Sequence, residues 1–273
     1  MYIMQDDSLR KLQLIELDIL KKLIEVFNEN NICYYIIGGT LIGAVRHGGF
    51  IPWDDDIDIA VPRDDYEKLI SVMKNLNDDE IDMKYYKDDN SLYYYPIRIV
   101  HKKYKIREPR TQNGYANPWI DILPIDGNPN GKLKKTMFKL KMQYYKLLLG
   151  LHYIDNLRDI KRKWYEKAII KVGKILHVGK IINPTKIKDK LDKTLKKNKI
   201  EDCNVIGTCM GAYFFHEFVP KKLFGNGSKV KFENIYVNAP ENVHDYLTHM
   251  YGDYMKLPPK EKQVSHNVEF IES

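Results

Sequence analysis

Two strings close together in the chain hold residue types suited to chemistry on phosphate. They are Gly38-Gly39-Thr40-Leu41-Ile42-Gly43-Ala44-Val45-Arg46-His47 and Pro52-Trp53-Asp54-Asp55-Asp56-Ile57-Asp58-Ile59. If a strand begins around Asp56, its period of two puts Asp56 and Asp58 on one face and Ile57 and Ile59 on the other. Two carboxylates so close repel, and a cation between them relieves the repulsion. Oxygen ligands of this kind suit Mg²⁺, which keeps several waters and completes its shell with substrate phosphates, and they also accept Mn²⁺. Upstream, glycines let backbone N–H groups approach an anion, and the short apolar segment after them can present a helix N-terminus to phosphate. Together the two strings describe a phosphate-plus-metal site.

Each string alone has a blander reading. A Gly-Gly pair is usually a turn, and an acidic run is usually solvated surface, as Asp78-Asp79-Glu80 is expected to be. The alternation of Asp56 and Asp58 with Ile57 and Ile59 argues otherwise, because it puts carboxylates in an element that should be half buried, where an uncompensated charge is expensive. Asp54 shares the strand phase of Asp56. Arg46 and His47 follow the glycines closely enough to neutralise phosphate, arginine with a planar fork suited to its oxygens. Either is equally readable as a surface residue at a helix end.

The elements that must position these residues can be read from periodicity. Leu12, Ile15, Ile19, Leu23, Val26 and Phe27 recur at helical spacing over 9–27, with Glu16 a blemish near the apolar edge. Cys33 to Ile37 reads as a strand running into Gly38-Gly39, Ile57 to Val61 as a strand ending at Pro62, and 64–75 as a helix. Further strands are expected at Ile81 to Tyr86, Tyr93 to Val100 and Trp119 to Leu123. Asp126, before Gly127, reads as a turn residue. From Gly131 to Lys199 the pattern is helical, with breaks near Gly150 to Asn156 and at Asn183-Pro184. Strands near Asn204 to Ile206 and Lys229 to Val237 and a helix opening at Pro240 close the chain.

The string GGTLIGAVRHGGFIPWDDDIDIAVPR resembles the signature of the LicD family of phosphotransferases, relatives of fukutin and fukutin-related protein in the nucleotidyltransferase superfamily. The resemblance extends to Trp119-Ile120-Asp121-Ile122-Leu123-Pro124-Ile125-Asp126, and to Tyr251-Gly252-Asp253-Tyr254-Met255 with Leu257-Pro258-Pro259. It implies an α+β fold with a nucleotidyltransferase-like mixed sheet and flanking helices; the basic helical insertion is read from periodicity and charge, and no motif of the family covers 132–199. The catalytic core would span 1–130, the basic segment 131–200, and a mixed segment over 201–273 would complete the core and substrate site. It implies Asp56, Asp58 and Asp121 as the metal-binding catalytic carboxylates, and Gly38, Gly39, Thr40, Arg46, His47, Trp53, Lys262 and His266 as substrate contacts. Gln263 stands where the family pattern has arginine, which puts a phosphate contact at that position in doubt. The implied reaction is Mg²⁺-dependent transfer of a phospho-alcohol, phosphocholine foremost, from a CDP-activated donor to a hydroxyl of a cell-surface glycan or its lipid-linked precursor. Two other readings stay open: a nucleotidyltransferase acting from an NTP on a small molecule or nucleic acid, and a non-catalytic anion-binding protein.

Composition narrows the setting. The chain has 273 residues, 44% hydrophobic and 30% charged, which excludes disordered and collagen-like classes. Three cysteines without C-x-x-C spacing argue for reduced thiols rather than a disulfide scaffold or zinc site. The longest uncharged run, Asn30 to Val45, is 16 residues with three glycines, too short to span a bilayer. Asp6 and Asp7 fall where a signal peptide needs basic and apolar residues, so a cytoplasmic location is expected, with a peripheral place on the inner face of the plasma membrane left open. The net charge of +7 divides into +16 over residues 132–199 and −9 over the rest. Lysines beside Phe138, Leu140, Leu147, Leu148, Leu149, Trp164, Ile169 and Ile170 suit a solvated helix face, an anionic membrane surface, or a polyanionic acceptor or RNA. No RNA-binding module signature favours nucleic acid. The 20 tyrosines, clustered at Tyr85-Tyr86 and Tyr93-Tyr94-Tyr95, read either as strand packing or as an aromatic seat for a quaternary ammonium group.

Overall fold

The computed structural model describes residues 7–108, 114–153, 170–171, 178–263 and 270–271. His266, Trp164 and Ile169 lie outside them. In chain order the elements begin with α1 (Asp7–Glu29), β1 (Tyr35–Ile36), α2 (Gly38–His47), β2 (Asp58–Pro62), α3 (Arg63–Asn75), β3 (Ile81–Lys84) and β4 (Ile97–His101). There follow β5 (Ile106–Arg107), β6 (Tyr115–Ala116), β7 (Trp119–Asn128), α4 (Lys132–His152), α5 (Val178–Ile181) and α6 (Pro184–Leu195). The chain continues through β8 (Val205–Gly207), β9 (Phe218–Pro220), β10 (Ser228–Phe232), β11 (Ile235–Ala239) and α7 (Val243–Tyr251).

A mixed sheet in the order β1-β2-β7-β4-β3 forms the centre, and β8 and β9 extend it from the far end of β7. β7 is buried along nearly its whole length, as a central strand covered on both faces must be. It runs parallel to β2 and antiparallel to β4, then exchanges β4 for β8 at Asp126, which curls the sheet. The β2–β7 register places Asp58 directly beside Asp121. The architecture is therefore mixed α+β. Among the described residues no helix is long and apolar enough to cross a membrane.

Helix α1 lays its apolar stripe on the sheet, and the blemish in that stripe, Glu16, is buried with it. The expected strands Ile81 to Tyr86 and Tyr93 to Val100 are shorter than read, because the tyrosines between them fold inward. Tyr85, Tyr86 and Tyr95 are core residues, with rings of Tyr85–Tyr86 and Tyr86–Tyr95 at 4.9 and 5.8 Å. They offer no open aromatic seat. The stretch Lys229 to Val237 is a hairpin, turning at Glu233 with φ 54°.

Asp126 corrects the turn assignment. It lies inside β7, 1% exposed, and accepts from Arg63 Nε and Nη2 at 2.7 and 2.6 Å. The same guanidinium reaches Asp192 of α6 at 3.0 Å and the Tyr95 hydroxyl at 3.2 Å. One buried fork therefore ties α3, β7 and α6 together. Asn183 caps α6 by accepting from the Lys186 amide at 3.0 Å, with Pro184 at the first helical position. Helix α4 runs unbroken through Gly150, and Phe138, Met142, Tyr145 and Leu149 enter the common core. Phe138 and Leu149, grouped by sequence with the apolar residues of a membrane face, therefore point inward instead. Removing one partner of a buried ion pair typically costs about 3–5 kcal/mol because the other charge is left unpaired. We expect Arg63→Met and Asp126→Leu each to lose that much in urea denaturation, and the double variant to lose less than either. Additive losses would show that the pair does not act as a unit.

Candidate active site

The sequence positions its carboxylates by building a floor for them. Gln13, one turn before Glu16 on α1, is fully buried and donates from Nε2 to the carbonyl oxygens of Asp54 at 2.8 Å and Ile51 at 3.4 Å. The acidic loop is thus held from below by a helix. At the loop's end the Asp58 amide donates to Thr40 Oγ1 at 2.9 Å, and the Asp58 carbonyl accepts from Ile37 N at 3.1 Å. On the other side Asp121 N donates to the Ile57 carbonyl at 3.1 Å. Thr40 is buried and acts on the site through the backbone of Asp58.

Gly38 and Gly39 open α2, and the room they leave is taken by the protein's own acids. A Cβ on Gly38 would lie 2.8 Å from Asp58 Oδ2, and one on Gly39 would collide with Asp54 Oδ2. Gly38 also has φ +62°, a conformation that glycine adopts without strain. The positive end of the α2 dipole therefore lies against carboxylates, the favourable polarity.

These elements open on one cleft of about 1240 Å³, large enough for two substrates of nucleotide and sugar size. Glu16, Asp54, Asp55, Asp56, Asp58, Asp121 and Glu217 all line it. Burial, with Asp56, Asp121, Asp54 and Glu217 nearby, holds the Asp58 carboxyl well above its usual range. Burial and then Asp56 and Asp55 push Asp54 up to about 8. Glu16 is raised too, by burial first and then by Asp56, Asp55, Asp54 and Asp121, and its Oε2 has no hydrogen-bond partner. Glu217 is raised by burial, though Thr208 Oγ1 and the Tyr213 amide, the latter at 2.6 Å, donate to it.

Asp121 is already paired. Arg98 Nε donates to its Oδ1 at 2.7 Å and Trp119 Nε1 to its Oδ2 at 3.1 Å. The guanidinium lies 3.9 Å from the Tyr94 ring centroid and 4.1 Å from that of Trp119, so two aromatic faces hold it. Burial works against its charge, but Asp121, Tyr93 and Tyr94 together raise the Arg98 pKa.

The remaining sequence candidates are placed as follows. Arg46 and Trp53 line the cleft; Arg46 Nη1 donates to the Tyr254 carbonyl at 2.8 Å. Arg46 Nε donates to His47 Nε2 at 2.9 Å, and His47 stands edge-on to Trp53 with centroids 6.1 Å apart. Burial and then Arg46 lower the His47 pKa, which favours the neutral ring that accepts that bond. His47 and Thr40 support the lining residues without being among them. Lys262 is exposed in a short turn (Lys260–Lys262) off the cleft, whereas Lys256 lines it. Sequence reading missed Glu16, Arg98 and Glu217 as cleft residues. The signals for the first two were an acid in an apolar helix stripe and a base between Ile97 and Ile99.

Comparison with known proteins identifies the family. Residues 31–162 match the family model described as LicD/FKTN/FKRP, nucleotidyltransferase domain. The ribitol 5-phosphate transferases FKRP of human and mouse are each 40% identical to this chain over 42 residues, 15% of this chain and 8% of theirs. The lipopolysaccharide cholinephosphotransferase LicD of Haemophilus influenzae is 32% identical over 270 residues, which is 96% of this chain and 97% of that protein. Identity at that level along nearly the whole length places the chain in the LicD family, as a phosphotransferase of that type.

Proposed function

We propose that the protein transfers a phospho-alcohol, phosphocholine foremost, from a CDP-activated donor to a hydroxyl of a cell-surface glycan or its lipid-linked precursor. The observation that carries this reading is the cluster of half-buried aspartates, with Glu16 and Glu217 buried behind them, in an arginine-rimmed cleft with room for two substrates. The near full-length likeness to a protein named for cholinephosphate transfer to lipopolysaccharide favours choline and a glycan acceptor. The curled sheet with paired acids on β2 and β7 supports a nucleotidyltransferase-like core over 1–130, completed by 201–273, with 131–200 appended.

The chemistry of the donor set fits a divalent cation. Among the described residues Glu16 Oε2 lacks a partner, and the neighbouring Asp54 and Asp58 are pushed above their usual range, so the cluster ionises fully only when a cation compensates it. Among the described residues no three acidic, histidine or cysteine side chains close into a complete cage. We assign Mg²⁺ or Mn²⁺ to Asp56 and Asp58, with the rest of the shell supplied by phosphate and water; Asp121, the third ligand that the family resemblance implies, has both oxygens taken by Arg98 and Trp119. Such an ion, when bound, would neutralise charge developing on the phosphates and leaving group.

The chain's own residues do the rest. Arg46, oriented by His47 and Tyr254, donates to the donor phosphates from the rim, and Trp53 offers a ring face to the donor. Asp121, fixed by Arg98 and Trp119, accepts the proton of the acceptor hydroxyl. That oxygen forms a bond to the donor's alcohol-bearing phosphorus as the bond to CMP breaks. CMP leaves with the electron pair, and the proton passes from Asp121 to solvent.

Two experiments test this reading. With CDP-choline, wild-type protein should release CMP. Asp58→Asn should lower kcat/KM by at least roughly 10³-fold while circular dichroism stays unchanged. Pyrophosphate release from an NTP, or wild-type turnover by the variant, would contradict it. The second concerns stability. Because the folded-state pKa of Glu16 lies above its ordinary 4.5, ionising it disfavours the fold, and stability falls as pH rises through the interval between the two values. Glu16→Gln should therefore melt about 2–4 °C higher for each kcal/mol gained at neutral pH without metal. The gain should vanish at acid pH and shrink when Mg²⁺ is added. An unchanged or lower melting temperature without metal would show that the charge in the cleft is already balanced.

A further inference from the structure

Helix α4 carries two apolar stripes where a surface helix normally carries one. Phe138, Met142, Tyr145 and Leu149 enter the core. Leu133, Met137, Leu140, Tyr144 and Leu147 are 56–74% exposed. At 100° per residue these five fall within an arc of about 80° on the side opposite the buried stripe. Lys134 and Lys141 flank the outer stripe on one side and Lys132 on the other, while Lys139 and Lys146 lie further round, 5.8 and 4.6 Å from the ring centroids of Phe215 and Phe214. The helix has six lysines and no acid. Among the described residues none of the six has a carboxylate within ion-pair distance. Lys132, Lys134 and Lys135 crowd the first turn, the end where the helix dipole disfavours cations. A face meant only for water has no use for that arrangement.

We propose that this outer face of α4 docks the protein on an anionic lipid surface. The stripe would sink its apolar side chains to the headgroup level while the flanking lysines reach back to lipid phosphates. Charge complementarity selects the occupant. A second copy would bring lysines against lysines, and a nucleic-acid backbone would leave the leucines in water. The site of docking also suits the cleft. Phe138 packs on Phe215 and Phe218 at 5.5 and 6.1 Å, and Met210, Tyr213 and Glu217 on the same segment line the cleft. Docking through α4 would bring that wall of the cleft near the membrane plane, where a lipid-linked acceptor presents its hydroxyls. The docking itself does not depend on which group is transferred.

Vesicle co-sedimentation of the full chain tests this. Wild-type protein should bind vesicles of equal parts phosphatidylcholine and phosphatidylglycerol, should not bind pure phosphatidylcholine, and should lose binding as salt rises. Leu140→Ser/Leu147→Ser should weaken partition by at least roughly tenfold with no fall in melting temperature, since both side chains are already in water. Lys134→Glu/Lys141→Glu should weaken it similarly at low salt. The proposal is overturned if wild type ignores anionic vesicles, or if it binds heparin or RNA with an affinity the leucine variant leaves unchanged. It is also overturned if the leucine variant abolishes self-association rather than lipid binding.

Discussion

Repulsion among carboxylates gathered in one cleft is the constraint around which this molecule is built. Like charges in a low-dielectric setting disfavour one another and disfavour burial, and the fold nevertheless brings nine acidic residues to the lining of one cleft. The scaffold resists this repulsion in three ways. It grips the acidic loop by its backbone, through Gln13 beneath and Thr40 beside it. It sets the start of α2 against Asp54 and Asp58 through two residues without side chains. It neutralises Asp121 with a guanidinium clamped between aromatic rings. None of these reaches Glu16 Oε2. The uncompensated cost of ionising these acids is the physical reason to read the cleft as a receiver of cations and of phosphates carried with them.

The same view separates residues that touch substrate from residues that act through others. Thr40 belongs to the strand it anchors, and His47 to the arginine whose Nε it accepts from. The Arg63 fork does comparable work outside the cleft. It holds α3, β7 and α6 together, so the strand bearing Asp121 and the basic helical segment share one anchor.

Much of this was legible in the sequence because the relevant signals are local. The alternation at Asp58-Ile59 and the position of Asp121 between isoleucines fix which way those two acids face, whereas β2 begins only at Asp58, so Asp56 is placed by the loop that Gln13 holds rather than by strand period. What stayed hidden depends on tertiary partners. Asp126 before glycine has the look of a turn, and only the arrival of Arg63 explains its burial. The tyrosines at 85, 86 and 95 look like a ligand seat in one dimension, but they are core once α6 packs over them. Glu16 was visible as an anomaly in its helix, and its meaning depended on which loop α1 would underlie. The two stripes of α4 share one periodicity, so sequence alone mixes Phe138 and Leu149 with Leu140 and Leu147. Exposure sorts them.

On the proposed function, the carboxylate cluster is held in readiness for a divalent cation that arrives with, or is completed by, donor phosphate. The most direct measurement is Mn²⁺ binding followed by electron paramagnetic resonance, with and without CDP-choline, on wild type and on Asp56→Asn. The account predicts weak Mn²⁺ binding by the protein alone, marked tightening when the donor is present, and loss of both in the variant. Absence of Mn²⁺ binding under both conditions, or binding indifferent to Asp56, would contradict it.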